Sequence, residues 1–243
     1  SESRFHGMGN PNLLEWGDWQ REQISKFVND VYAEVRSIKP GCVVSCAAWG
    51  IYNRYHIKGY YNFSSGFHDY YQDSWNWINI GAMDLLIPMV YWDLEDPKPN
   101  YDELVDDFAE GIGANRFLGG QRMYGREWPV DENINQILYG RKAGLPGSVV
   151  FAYGSSKGKG AFEKFPATIY KEKISPPRLS DYHPKTGGII LGTVVDDENN
   201  PVKDAWVSLD TKDRESRKSR LFRQTWTSSS DGRFAFLEVP EVP

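Results

Sequence analysis

Two aromatic rings and three carboxylates crowd the segment Tyr91-Trp92-Asp93-Leu94-Glu95-Asp96, directly after the apolar run Leu85 to Val90. The two side-chain types do complementary work. A flat ring offers a face on which a sugar ring can stack, and a carboxylate accepts hydrogen bonds from hydroxyls or moves a proton. The same types recur where other apolar runs stop. Trp49 ends one run, Tyr124 a second and Tyr153 a third, with Arg122 just before Tyr124 and Glu127 just after it. If these runs are parallel strands of one sheet, the aromatics share one rim. Trp49, Tyr91, Trp92, Tyr124, Tyr153 and Arg122 are therefore the candidate substrate-binding residues. Arg122 could pair with a buried carboxylate or meet an anionic sugar. Asp93, Glu95 and Glu127 are the carboxylates placed to do chemistry. Asp73 reads as a helix cap or lining residue. Asp84 opens its run, at the end of the sheet where stability rather than chemistry is expected. His56 and His68 fall in a Tyr-rich loop and read as solvated or hydrogen-bonded.

The elements that would position these residues alternate. Asp18 is a credible N-cap, and Ile24, Phe27, Val28, Val31, Tyr32, Val35 and Ile38 then recur at helical spacing until Lys39-Pro40-Gly41 stops them. A strand over 42–48, a long loop over 49–70 and a helix over 69–80 follow. A second strand spans 84–91, with a continuous apolar character that predicts burial on both faces. A helix over 101–111, a strand over 117–124, a helix over 131–143 and a strand over 147–153 complete the pattern. Helix and strand in alternation mean βα units and a parallel sheet. Four such units are half of an eight-stranded barrel, a fold that usually takes about 250 residues. Residues 1–161 are therefore expected to be half of a (β/α)8 TIM barrel, within a larger protein. Residues 162–186, with Pro166, Pro176, Pro177 and Pro184, read as a linker. Residues 187–243 read as a small all-β sandwich domain, with strands over 189–195, 205–209, 224–227 and 234–236. The run 210–220 is charged and expected in solvent, and Asp231-Gly232 predicts a hairpin turn.

The composition narrows the partners. The 243 residues carry a net charge of -5 with both signs interspersed, which argues against nucleic acid. No apolar run approaches the roughly 18 residues of a membrane span, and no signal peptide opens the chain. Nine Trp, fourteen Tyr and twelve Phe suit a bulky core or a carbohydrate-binding surface, and position has to decide between them. Cys42 and Cys46 would lie about 13 Å apart along a strand, too far for a disulfide. Without clustered histidines, no metal is expected. No organic cofactor is implied.

Residues 18–153 resemble the glycosyl hydrolase-like family 10 proteins of bacteria. Four stretches carry the likeness: Asp18-Trp19-Gln20-Arg21 through Val28; Ile38-Lys39-Pro40 before the Val43–Trp49 strand and Gly50; Tyr71-Gln72-Asp73-Ser74 through Trp77 and Gly81 to Asp84; and Ile87-Pro88-Met89-Val90-Tyr91-Trp92. Residues 187–239 resemble carboxypeptidase regulatory-like, transthyretin-like β-sandwich modules. That likeness rests on Gly192-Thr193-Val194 with Asp196, on Pro201-Val202 with Ala205 and Val207, and on Thr227 through Phe234.

The first resemblance implies strands five to eight of an extracytoplasmic β/α barrel, its C-terminal half, and glycoside hydrolysis as the chemistry. That chemistry usually uses two carboxyl groups, one acid and one nucleophile or base. The family's principal acidic segment lies at the end of the fourth strand, outside this chain. Two function classes therefore stand side by side. One is a secreted glycoside hydrolase acting on a polysaccharide or cell-wall glycan. The other is a non-catalytic glycan-binding or surface-adhesion protein. Both imply a periplasmic, secreted or cell-surface location and a glycan partner.

Overall fold

The computed structural model of the chain describes residues 10, 12–94, 97–175, 187–212, 219–227 and 231–240. They fall into two compact units. One comprises Val43–Asn79 and Met83–Pro184. The other comprises Ser1–Cys42, Ile80–Ala82 and Lys185–Pro243. The first helix among the described residues, α1 (Trp16–Ile38), belongs to the latter.

The unit built on Val43–Pro184 holds four strands: β1 (Ser45–Trp49), β2 (Leu85–Met89), β3 (Gly119–Arg122) and β4 (Ser148–Phe151). They form one parallel sheet in the order β1-β2-β3-β4. Short helices α2 (Gly66–Asp69) and α3 (Ser74–Asn79) lie between β1 and β2. Helix α4 (Tyr101–Ile112) connects β2 to β3, and α5 (Val130–Lys142) connects β3 to β4. Helices α6 (Tyr153–Gly158) and α7 (Ala161–Thr168) follow. The architecture is α/β with a parallel four-stranded sheet, compatible with part of a TIM-barrel-like fold.

The burial expected of the 84–91 strand holds for most of β2, at the centre of the sheet, while β1 and β4 are more exposed. Leu85, Leu86 and Val90 are buried, as are Leu104, Val105 and Phe108 of α4 and Phe117. Among the described residues, strands β1 and β4 have a neighbouring strand on one side only, and Phe151 is 56% exposed. Pro88 sits in a central strand although it has no N–H to donate. The ladder from β2 to β3 is correspondingly thin, with Met89 opposite Gly120. At this point the backbones approach closely. A Cβ built on Gly120 would stand 2.2 Å from the Pro88 carbonyl oxygen. One on Gly119 would meet the Tyr101 hydroxyl at 2.2 Å.

Three expectations need correction here. The helix predicted over 69–80 is two pieces. The Gly66 carbonyl accepts from both the Tyr70 and Gln72 N–H groups, and Tyr71 takes a positive φ of 54° between them. The linker predicted from 162 begins as helix α7, with Pro166 inside it. Ala161 at its start is buried with Met123 and Trp128, and Val130, Val150 and Phe165 pack around them. Strand β1 starts at Ser45, so Cys42 precedes it; neither cysteine forms a disulfide, and burial pushes the Cys46 thiol up to about 12.

In the other unit, Asp18 lies in the first turn of α1 and the cap is Glu15. Asp18 instead accepts from Arg21 at 2.5 Å. The predicted apolar stripe is partly outward: Phe27, Val31 and Ile38 are exposed. Tyr32, Ala33 and Arg36 are buried, and the Arg36 guanidinium donates to the Cys42 carbonyl at 2.7 Å. Strand β5 (Gly187–Thr193) pairs antiparallel with β8 (Arg233–Pro240), and β6 (Trp206–Lys212) with β7 (Ser219–Trp226). Asp231-Gly232 was expected to form a hairpin turn; among the described residues, β8 pairs with β5 and no ladder joins β7 to β8. Much of the run expected in solvent is strand, with β6 reaching Lys212 and β7 starting at Ser219; residues 213–218 lie outside the described residues. Asn29 of α1 donates to the Ala235 carbonyl of β8 at 3.3 Å.

Candidate functional site

The parallel sheet brings three aromatic residues together at its C-terminal end. Tyr91 follows β2, Tyr124 follows β3, and Phe151 is the last residue of β4. Tyr91 and Tyr124 meet edge to face with ring centroids 5.8 Å apart. Tyr91 and Phe151 lie near-parallel at 6.2 Å, and Tyr124 meets Phe151 edge-on at 6.3 Å. Each ring comes from a different strand end, so the sheet itself sets the triangle. Tyr124 remains 44% exposed, which leaves aromatic surface open to a ligand. Burial, and the nearby Tyr124, hold the Tyr91 phenol above its usual range.

Arg122 stands beside this triangle, paired in register with Phe151. Its guanidinium carbon lies 3.7 Å from the Trp128 ring centroid, a stacked cation–π geometry. A closed polar circuit holds this pair. The Trp128 indole N–H donates to Asn133 Oδ1 at 2.9 Å, and Asn133 Nδ2 donates to the Arg122 carbonyl at 2.9 Å and to Gln121 Oε1 at 3.2 Å. Trp128, Asn133 and Gln121 are all buried. Asp93 Oδ1 is 3.7 Å from an Arg122 terminal nitrogen. That is an ion pair beyond hydrogen-bonding distance.

The loop carrying Trp92 and Asp93 is pinned from α5. The Leu94 N–H donates to Glu132 Oε1 at 2.7 Å. Gln136 Nε2 donates to the Trp92 carbonyl at 2.8 Å and to the same Glu132 oxygen at 2.8 Å. The Tyr101 N–H donates to the Asp93 carbonyl at 2.7 Å, so the backbone is held on both sides. Trp92 is half-buried, and a Cβ on Gly50 would lie 3.0 Å from its ring and 2.3 Å from the Met89 carbonyl oxygen. Asp93 and Glu127 are exposed. Glu95 lies outside the described residues.

Trp49 and Tyr153 sit at strand ends but not in the triangle. The Trp49 indole donates to the Ser64 carbonyl at 2.8 Å, the Trp49 backbone N–H donates to Gln72 Oε1 at 2.8 Å, and the Trp49 ring lies 4.3 Å from that of Tyr70. Tyr153 opens α6, 72% exposed, against Phe162 at 5.2 Å. Asp73 accepts from the Tyr52 hydroxyl at 2.7 Å. Asp84 is buried at the opposite end of the sheet, where it accepts from the Val44 N–H at 2.8 Å. His68 Nε2 lies 3.1 Å from Asn53 Oδ1.

His56 faces Asp107 of α4 at 3.3 Å and lies 4.9 Å from the Trp75 ring, which stacks on Tyr52 at 4.1 Å. Burial pushes the Asp107 carboxyl from 3.8 up to about 6, with His56 acting in the opposite direction. A raised folded-state value means stability fully present below about pH 4 and lost as pH rises through about 6. The melting temperature of Asp107→Asn, followed from pH 4 to 7, should therefore lack a decline that the parent chain shows. Parallel profiles would show that Asp107 titrates at its ordinary value.

Sequence reasoning named Tyr91, Tyr124, Arg122 and Asp93 but passed over Phe151, Trp128, Gln72, Glu132 and Gln136. Phe151 was legible in principle, since the last residue of an apolar run is a rim position. The polar residues of α5 and the α2–α3 junction act by reaching back to loop backbone, a role with no local sequence signal.

A family model described as Glycosyl hydrolase-like 10 matches residues 2–124, just over half of the 243 residues. Glycosyl hydrolase DigH of Escherichia coli (strain K12) is 26% identical over 102 residues, 41% of this chain and 23% of that protein. Glycosyl hydrolase YngK of Bacillus subtilis (strain 168) is 23% identical over 115 residues, 46% of this chain and 22% of that protein. The chain thus spans less than a quarter of the length of these curated relatives. The family match runs through β1, β2 and β3 and includes Tyr91, Asp93, Arg122 and Tyr124, and the chain belongs to the Glycosyl hydrolase-like 10 family.

Proposed function

We propose that the rim of the parallel sheet binds a glycan and forms part of a glycoside hydrolase-like site acting on a polysaccharide or cell-wall glycan. The observation that carries this is the triangle of Tyr91, Tyr124 and Phe151, three rings from three strand ends within 6.3 Å of one another. Such a surface, with a carboxylate and a guanidinium at its border, suits sugar rings and their hydroxyls. Asp93 is the carboxylate best placed to act on the bound glycan, as acid, base or hydrogen-bond partner. In this reading the parallel unit is the C-terminal half of a β/α barrel. The paired strands of 187–240 would belong to a carboxypeptidase regulatory-like sandwich, and the protein would work outside the cytoplasm or at the cell surface.

The exposure of Asp93 and Glu127 favours a second reading for this chain by itself. The acid of a glycoside hydrolase usually sits in a water-poor pocket, and both of these carboxylates face solvent. The chain would then bind glycan without cleaving it. Incubation with purified cell-wall glycan and a count of new reducing ends separates the two. Turnover that drops roughly a hundredfold in Asp93→Asn supports Asp93 as a proton-transfer group. Saturable binding with no new reducing ends assigns the chain to the binding class.

A further inference from the structure

We infer that the rim holds a subsite for a sugar unit bearing a carboxylate, read by the guanidinium of Arg122. This rests on the glycan-binding reading above and names the chemistry of its ligand. The guanidinium is fixed in place before any ligand arrives. Its plane lies over Trp128 at 3.7 Å, and Trp128 is itself held through Asn133 to the Arg122 carbonyl. Its Nε is buried and, among the described residues, has no hydrogen-bond partner. The buried Nε is closed to a ligand, so an arriving carboxylate would be met by the terminal nitrogens, on the partly exposed side of the guanidinium that faces Asp93.

Asp93 does not saturate these nitrogens. At 3.7 Å it attracts the guanidinium without a hydrogen bond, and its side chain is 52% exposed. Asp93 can turn aside at little cost, because exposed ion pairs contribute little. The two-pronged guanidinium matches a planar carboxylate with two parallel N–H···O bonds. One arginine next to one aspartate also suits a monoanion better than a phosphate dianion, which would call for more positive charge. The register of Arg122 opposite Phe151 sets the guanidinium's residue beside the aromatic triangle. A sugar ring stacked on those rings could present its carboxylate to Arg122.

Paired probes test this: oligosaccharides of glucuronic and galacturonic acid, and the same oligosaccharides as neutral methyl esters, titrated into the full chain. The acid form is expected to bind about tenfold more tightly than its ester, the scale of a hydrogen bond to a charged group. In Arg122→Gln that ratio should fall to near unity while the ester still binds. Asp93→Asn, a substitution at an exposed site, should raise the ratio of acid to ester affinity roughly twofold to threefold. Esters and acids bound equally by the parent chain would overturn the carboxylate subsite and leave the glycan reading standing. No binding of either form would likewise overturn the carboxylate subsite.

Discussion

Gly120→Ala is expected to cost the sheet roughly 3 kcal/mol, near the upper end of overpacking losses. The reason is backbone on backbone. The new methyl would stand 2.2 Å from the Pro88 carbonyl oxygen and 3.3 Å from Ile87 Cγ2. A flexible side chain could move away, but the Pro88 carbonyl is part of a central strand whose neighbour β1 is paired residue by residue from Ser45 to Trp49. The strands can only separate, which weakens the ladder that sets the spacing of Tyr91 and Tyr124. Urea unfolding followed by far-ultraviolet circular dichroism reads the loss. Gly154→Ala is the control. Nothing lies within 4 Å of a Cβ there and the residue is helical, so alanine should be neutral or stabilising by up to about 1 kcal/mol. Equal midpoints for the two variants would mean that β2 and β3 are not as close as described.

The paired substitution Tyr91→Ala, Tyr124→Ala is expected to weaken glycan binding by about 2 kcal/mol, some thirtyfold, as for removal of a central aromatic anchor. The two rings touch, so their contributions are not independent, and each single variant should account for more than half of the double loss. Stability should suffer less than binding, because Tyr124 is 44% exposed and neither ring belongs to the buried core around Leu86, Phe108 and Phe117. Trp92→Ala should behave differently. Its half-buried ring borders Gly50, so that variant should lose stability as well as affinity. A thermal melt beside each titration separates the two effects.

Much of the parallel unit was legible because its signals are local. The apolar run yields strand β2 (Leu85–Met89), buried at three of its five residues, and α4 and α5 lie within a residue of their predicted bounds. Edge exposure was not legible, since sequence does not show which strand lacks a neighbour. Asp18 looked like a cap because its residue type suits one, but the helix starts two residues earlier. The pairing of β8 with β5 overrode a turn signal that favours adjacent strands, because strand partners are chosen by long-range packing. At the rim, residue types pointed to Tyr91, Tyr124 and Arg122. Their arrangement depends on Trp128, Asn133, Glu132 and Gln136, which act from the loop before α5 and from α5 itself.

The central claim is that glycan binds at the C-terminal rim. The same unit has another cleft, about 490 Å³ in volume, at the opposite end of β4, lined by Ile137, Arg141, Leu145, Ser148, Tyr170 and Ile174 among others. Chemical-shift mapping with a neutral glycan oligomer discriminates between them directly. The account predicts that saturating, dose-dependent shifts concentrate at Tyr91, Arg122, Tyr124 and Phe151. Shifts confined to Leu145, Ser148 and Tyr170, with the rim unmoved, would contradict it.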